Sequence, residues 1–180
     1  MKLIFLHGPP AAGKYTIAQC LERSAGVRNL HNHLILDVAK ALFDFGSDDF
    51  WDLTDKLRLV ALEAVAPSAD AAVAMTMGYT SDALTQVEAI ERLVSESGGE
   101  FIPVFLKCDM EELRRRVSNP GRSEMKKINS VEGLERYMSE WDHIPFSSPN
   151  SLTVVTQGRS AGDCAEEIIR RLVLPRSDSE

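Results

Sequence analysis

The sequence predicts an α/β fold in which a five-stranded parallel sheet lies between two layers of helices. Two observations support this prediction: five short apolar segments alternate with segments of helical period, and the first apolar segment ends in a glycine-rich turn. Such alternation is typical of three-layer α/β/α domains with a parallel sheet. The 180 residues contain no repeat or low-complexity stretch, so we expect a single domain over 1–180.

Each predicted strand is a short apolar run bounded by turn-forming or polar residues. The first run, KLIFL, stops at a Gly-Pro-Pro cluster. The fourth run contains Pro103, which is awkward because proline donates no ladder hydrogen bond. The predicted strands are 2–6, 27–30, 71–77, 101–106 and 151–155.

The segments between the strands carry apolar residues at helical spacing. The segment after the second strand has Leu34, Val38 and Leu42 four residues apart, which predicts a helix over 31–43. Ser47 is placed to cap a longer helix that Pro67 ends. The predicted inner face of that helix is Phe50, Leu53, Leu57, Val60, Ala61 and Ala64. Further helices are predicted at about 13–26, 80–98, 110–117, 131–141 and 161–172.

Composition and charge exclude several classes of protein. The net charge of -7 argues against general nucleic-acid binding, which needs a basic face. Cys20, Cys108 and Cys164 lie far apart, so neither a zinc knuckle nor a disulfide framework is predicted. The apolar run near the N-terminus is too short for a signal peptide or a membrane span. We therefore expect a cytoplasmic monomer with no nucleic-acid or membrane partner.

The turn after the first strand reads GPPAAGKYT, residues 8–16, and contains the spacing GxxxxGK. Terminal glycines let such a loop fold around an anion with its backbone N–H groups pointing inward. The lysine then places a charge on the β- and γ-phosphates of ATP. Lys14 is therefore predicted to be catalytic. The predicted nucleotide-binding residues are Gly8, Pro9, Ala11, Ala12, Gly13, Lys14, Tyr15 and Thr16.

The magnesium ligands of this motif are incomplete. The position after Lys14 normally supplies a hydroxyl to Mg²⁺, but Tyr15 is too long and rigid to do so. Thr16 is the predicted metal contact. No Asp or Glu follows the third strand, where Thr76 would act through a water, so phosphate oxygens and water would hold most of the metal. Weak metal affinity and a noncatalytic nucleotide site are both open consequences.

Joined to HNHL at 31–34 and RRRVSNPGR at 114–122, the loop resembles the nucleoside monophosphate kinase and shikimate kinase group of P-loop proteins. The resemblance covers nearly the whole chain in element order, although only the phosphate loop is a specific motif. It implies the P-loop NTPase fold with sheet order 2-3-1-4-5. It also implies an acceptor site above strands two and three, and an arginine-bearing lid at about 118–130.

The resemblance assigns the acceptor side to the start of the helix after strand two. Shikimate kinases carry two carboxylates where this chain has His31, Asn32 and His33. One helical turn separates His33 from Asp37, so Asp37 would fix the tautomer of His33 while His33 faces the acceptor hydroxyl. The predicted acceptor-binding residues are His31, Asn32, His33 and Asp37, of which His33 and Asp37 are also predicted to be catalytic.

On the lid side, the apolar stripe of the helix after strand four places Arg114, Arg115 and Arg116 on different faces. Not all three can reach one phosphate. By the resemblance, Arg116 and Arg122 are predicted to neutralise charge on the transferred phosphoryl group.

A small hydroxyl metabolite is the expected acceptor. Nucleoside monophosphate kinases hold an acceptor phosphate with arginines in two segments that read LILDVAK and TMGYTSD here, with no arginine. Arg58 would be the substitute, so a nucleoside monophosphate kinase stays an alternative, as does a noncatalytic ATP-binding protein. A polynucleotide-end kinase is weakened by the acidity of the chain, and a GTPase by the lack of an Asn-Lys-x-Asp motif.

Overall fold

The computed structural model describes residues 1–119 and 128–177. The strands are β1 (Lys2–His7), β2 (Arg28–Leu30), β3 (Ala72–Thr76), β4 (Glu100–Lys107) and β5 (Leu152–Val155). They form a parallel sheet in the order β2-β3-β1-β4-β5. The predicted fold class, parallel sheet and strand order are therefore confirmed, whereas the single domain over 1–180 stays a prediction.

Helices connect the strands and cover both faces of the sheet. The helices are α1 (Lys14–Ala25), α2 (Asn32–Lys40), α3 (Asp48–Val65), α4 (Leu84–Glu96), α5 (Met110–Val117), α6 (Val131–Glu140) and α7 (Ala161–Leu172). Ser47 caps α3 as predicted, because its hydroxyl accepts the N–H of Phe50. None of the helices in the two described ranges has both the length and the apolar character needed to cross a membrane.

Two apolar cores hold the helices to the sheet. Side chains alternate between the faces of a strand, so Ile4 and Leu6 of β1 enter the core beneath α1, α5 and α7, and Leu3 and Phe5 enter the core beneath α3 and α4. All four are fully buried. Each contributes about 1.5–3 kcal/mol of hydrophobic stabilisation. The central strand is therefore fixed from both sides directly before the glycine-rich turn.

Pro103 lies inside β4, where the sequence made a strand doubtful. β4 pairs with β1 along Glu100 to Phe105, but β5 pairs with β4 only from Val104 onward. The part of β4 that contains Pro103 is therefore an edge on the β5 side. A proline is tolerated at an edge because no neighbouring strand needs its missing N–H.

The predicted inner face of α2 is wrong, and that of α3 is right only in part: Phe50 is buried and Leu53 packs against its core, whereas Val60 and Ala64 are exposed. In α2, Leu34 and Val38 are about half exposed and the buried residues are Ile35, Leu36 and Ala39. The helix also ends at Lys40 rather than at 43. The buried residues of α3 are Phe50, Thr54, Arg58 and Leu62, whereas Val60 is exposed. The most buried residues of α3 therefore lie four residues apart and include two polar ones, Thr54 and Arg58, which the predicted apolar face did not contain.

Candidate nucleotide and acceptor site

The carboxyl ends of the strands open onto a cavity of about 700 Å³. The glycine-rich turn forms its floor, the start of α2 and the end of β3 form one wall, and α5, α6 and the start of α7 form the other. Several polar side chains are brought together there. The polar lining consists of Lys14, Tyr15, Thr16, Gln19, Asn32, His33, Thr76, Arg115, Arg116, Asn119, Tyr137, Thr156 and Arg159.

The turn between β1 and α1 has the backbone geometry of an anion-binding loop. Gly8, Ala11 and Gly13 have positive φ angles of 127°, 66° and 102°. A Cβ atom at Gly8 would lie 2.7 Å from the Leu106 carbonyl oxygen, so only glycine fits there. Ala11 stores about 1–3 kcal/mol of backbone strain, which the sequence does not reveal. The turn delivers the chain to the N-terminus of α1, which favours a bound anion.

Lys14 spans the mouth of this turn. Its Nζ atom donates hydrogen bonds to the carbonyl oxygens of Gly8 at 2.6 Å and Pro9 at 2.8 Å. The ammonium group is therefore held beside the loop amides, where the phosphates of a bound ATP could contact both the ammonium and the amides. The predicted catalytic role of Lys14 and the predicted nucleotide contacts of residues 8–16 stay predictions.

On the acceptor side, the structure brings Asn32 and His33 to the cavity. His31 packs behind them, with its ring edge-on to Tyr15 at 4.9 Å. Asp37 is exposed and lies outside the cavity lining, and its carboxylate is 3.9 Å from Lys40 Nζ. The functional pairing of His33 with Asp37 stays a prediction.

Arg116 enters the cavity from α5. Its guanidinium donates to the Thr156 carbonyl at 2.6 Å and to Glu112 Oε1 at 2.7 Å. Arg115 donates to the same carboxylate, and these bonds lower the pKa of Glu112 to about 2. Both arginines are thus oriented by a carboxylate that is ionised at neutral pH. Arg114 instead pairs with Glu135 on the outside.

The comparisons with known proteins give a fold and no family. No family model matches the sequence, and no curated protein matches it. Among solved structures, a sugar kinase from Janibacter is 14% identical, covers 97% of this chain and 95% of its own, and has a TM-score of 0.65. A gluconokinase from Sinorhizobium meliloti is 14% identical, with coverages of 96% and 91% and a TM-score of 0.65. A shikimate kinase from Acinetobacter baumannii is 21% identical, with coverages of 95% and 92% and a TM-score of 0.57.

The chain has the fold of the P-loop small-molecule kinases. At these identities the likeness establishes the fold alone, and it confirms the fold that the sequence resemblance implied. The lid of such a kinase, predicted at about 118–130, is described here only at 118–119 and 128–130. The predicted catalytic Arg122 lies outside the described residues. The predicted role of Arg116 stays a prediction.

This P-loop kinase fold implies a magnesium ion, and the residues present do not fit a protein-ligated one. Tyr15 Oη accepts a hydrogen bond from Gln19 Nε2 at 3.2 Å, so the phenol lies along α1. Thr76 Oγ1 accepts the Asn32 N–H at 3.1 Å. Across residues 1–119 and 128–177, no group of three Asp, Glu, His or Cys residues could hold a metal. Thr16 is exposed and lines the cavity, and its predicted metal contact stays a prediction.

Arg58, which the sequence offered only as a substitute ligand for an acceptor phosphate, is buried behind the acceptor side of the cavity. It is only 3% exposed, and it donates to Asn32 Oδ1 at 2.8 Å and to Asp55 at 2.9 Å. Burial lowers its pKa, and Asp55 opposes this shift. A guanidinium only donates, so the Asn32 carbonyl must face it and the Asn32 amino group is turned away. In the sequence, the spacing of Arg58 from Phe50, Thr54 and Leu62 places it on one face of α3 with them, and this spacing could have indicated a buried arginine.

Tyr137 and Arg159 are among the cavity residues that the sequence did not predict. Tyr137 of α6 lines the cavity, and its hydroxyl lies 3.5 Å from the position of a Cβ atom at Gly78. Arg159 lines it from the loop before α7 and donates to Glu167 at 2.6 Å. Neither lies in a short motif, so only the folded chain brings them to the phosphate loop.

Two histidines, one buried and one half-buried, lie close enough to Lys14 to feel its charge. His7, the last residue of β1, is fully buried and stacks on Phe5 at 5.0 Å. Within the described part of the chain, neither of its ring nitrogens has a hydrogen-bond partner. Burial, followed by the charges of Lys14 and His143, lowers the pKa of His7 to about 3. Burial also lowers the pKa of His143 to about 4, and its Nδ1 donates to the Tyr79 carbonyl at 3.1 Å.

We expect the free energy of unfolding to fall between pH 7 and pH 5, with His7 causing about 2 kcal/mol of the fall. The folded-state pKa of about 3 lies below the ordinary value of 6.5, so the unfolded chain takes up a proton first. The stabilisation that comes from keeping His7 neutral is complete above pH 6.5, and it is lost as the pH falls toward 3. Urea unfolding of the wild type and of His7→Leu at both pH values measures it. His33→Gln is the control, and an undiminished pH effect in His7→Leu would contradict the assignment.

Proposed function

We propose that this chain is an ATP-dependent phosphotransferase that moves the γ-phosphoryl group to a hydroxyl of a small metabolite. The observation that carries the proposal is that one cavity joins the phosphate loop and Lys14 to a cluster of uncharged polar residues at the ends of β2 and β3. The kinase fold of the similar structures supports it. Monomeric state and cytoplasmic location stay predictions.

The distribution of charge along the cavity favours a hydroxyl acceptor over a phosphate acceptor. Among the described residues, four basic side chains line it, and they lie on the glycine-rich-turn and α5–α7 side: Lys14, Arg115, Arg116 and Arg159. The described part of the acceptor wall offers neutral groups, and Arg58 is held by Asp55 and Asn32 behind that wall. Within residues 1–119 and 128–177, a dianionic acceptor would therefore find no arginine on that wall for the bidentate contacts that phosphate recognition uses. This weakens the nucleoside monophosphate kinase alternative.

Different residues of this site would bind the triphosphate, stabilise the transferred group and accept the proton. Such transfer depends mainly on positioning and on stabilisation of charge. The loop amides and Lys14 would hold the triphosphate, and Arg116, with Arg122 as predicted from the sequence, would neutralise charge on the moving group. His33 would accept the proton of the acceptor hydroxyl. A magnesium ion bound to the phosphates would supply further charge neutralisation.

A noncatalytic ATP-binding protein is the second candidate. It is favoured by Tyr15, whose phenol lies along α1, and by Thr76, which stands at the end of β3 and accepts a backbone N–H. These are the two places where a P-loop kinase organises its metal. ATP binding without turnover on any acceptor would support this candidate.

ADP release in the presence of a panel of hydroxyl compounds tests the proposed function. The similar structures are named sugar kinase, gluconokinase and shikimate kinase, so sugars, gluconate and shikimate are tried first. We expect at least one compound to stimulate ADP release. His33→Ala should lower that turnover by about 10²-fold or more, because it removes the proton acceptor. The ATP dissociation constant, measured by calorimetry, should change little.

Asp37→Ala tests whether Asp37 orients His33, separately from whether His33 accepts the proton of the acceptor. A loss of turnover as large as that of His33→Ala would support the predicted pair, and wild-type turnover would leave His33 to act without Asp37. Wild-type turnover in His33→Ala would remove His33 from the proposed chemistry.

A further inference from the structure

The cavity is strongly basic within an acidic chain. Its described lining includes four basic side chains, Lys14, Arg115, Arg116 and Arg159, and no Asp or Glu. The whole chain has 27 acidic and 20 basic residues. The acids nearest to these cations, Glu112 and Glu167, pair with them from outside the lining. A polyanion entering the cavity would therefore meet cations and no anionic side chain of the described residues.

The position that usually supplies a metal-binding hydroxyl carries a phenol that is engaged by two neighbouring side chains. Tyr15 is held between Gln19, which donates to its hydroxyl at 3.2 Å, and His31, whose ring meets it edge-on at 4.9 Å. At the end of β3, Thr76 is 5% exposed and accepts the Asn32 N–H. Only the neutral hydroxyl of Thr16 remains near the start of α1. Magnesium prefers carboxylate and phosphate oxygens, so the protein offers it little.

These two observations have one electrostatic consequence. Free ATP carries about four negative charges near neutral pH, and a bound Mg²⁺ cancels two of them. In a site with protein ligands for the metal, Mg²⁺ bridges nucleotide and protein and strengthens binding. In this cavity it would mainly reduce the attraction between the triphosphate and the four cations.

We propose that the chain binds the triphosphate of ATP through its own cations and not through protein-ligated magnesium, and that Tyr15 is the residue that sets this metal independence. The inference rests on the proposed function, because it assumes that ATP is the nucleotide in the cavity. It concerns binding, whereas the transfer step can still require a metal carried by the phosphates.

Calorimetry of ATP binding in Mg²⁺ and in EDTA, at matched ionic strength, tests the proposal. For the wild type, we expect the dissociation constant in Mg²⁺ to be no lower than about one third of that in EDTA. For Tyr15→Ser, which restores the usual hydroxyl, we expect Mg²⁺ to tighten binding by about 10-fold. Tyr15→Thr is a second form of the same test, and circular dichroism shows whether each variant is folded.

Tyr15→Phe is the matched control, because it keeps the ring against His31 and removes only the hydroxyl. Its ratio of dissociation constants should equal that of the wild type. ATP binding that needs Mg²⁺ in the wild type would overturn the inference and leave the proposed function standing. A metal-independent wild type whose Ser and Thr variants gain no magnesium effect would overturn the role of Tyr15. No ATP binding under either condition would reject the proposed function itself.

Discussion

Replacing Lys14 by methionine is expected to lower the turnover of ATP-dependent phosphoryl transfer by about 10²- to 10³-fold. The ammonium is held 2.6 Å from the Gly8 carbonyl oxygen and 2.8 Å from that of Pro9, so it is preorganised where negative charge on the phosphates develops. Methionine keeps the length and apolar stem of the side chain but removes its charge. Initial rates of ADP formation with a stimulating acceptor measure the loss.

Lys56→Met is the control for this substitution, because Lys56 is an exposed residue of α3. Its turnover should equal that of the wild type. If Lys14→Met kept turnover within a few fold of the wild type, the glycine-rich turn would not be the site of phosphoryl transfer.

Gly8→Ala is expected to destabilise the folded chain by about 3 kcal/mol or more and to abolish ATP binding. Gly8 has a φ of 127°, and an added Cβ atom would lie 2.7 Å from the Leu106 carbonyl oxygen. Backbone strain and overlap therefore act together, and β4 cannot withdraw because it is paired on both sides. Urea unfolding and calorimetry with ATP give the two measurements.

Gly158→Ala separates strain from overlap. Gly158 has a φ of 67°, but nothing lies within 4 Å of a Cβ atom at that position. We expect a cost of about 1 kcal/mol and unchanged ATP binding. Equal costs for the two substitutions would show that contact with β4 does not constrain the loop.

The centre of the sheet could be predicted because β1, β3 and β4 are short, apolar and buried on both faces. The helix faces were harder, since α2 carries two apolar stripes at similar spacing. Leu34 and Val38 form the exposed stripe, and Ile35 and Ala39 form the buried one. Spacing alone does not tell which stripe meets the protein. That choice depends on where the chain enters the helix from β2.

The geometry of the glycine-rich turn was predictable because local backbone conformation and sequence spacing specify it together. The two walls of the cavity were only partly predicted, because their residues act through contacts distant in sequence. Arg58 is held by Asn32, 26 residues away, and Arg116 by Thr156, 40 residues away. In α3, we assigned only apolar residues to the inner face, so the prediction did not include the buried Arg58. Its hydrogen bonds to Asn32 and Asp55 hold the cavity wall in place.

The basic cavity of this acidic chain also bears on how fast a nucleotide arrives. A cleft of one charge sign, bounded by low-dielectric walls, concentrates the electric field and guides oppositely charged molecules toward it. The chain as a whole carries a net charge of -7, so it attracts an anion at the cavity and not over its whole surface. The association rate constant for ATP should therefore fall with increasing salt concentration much more steeply than the dissociation rate constant rises.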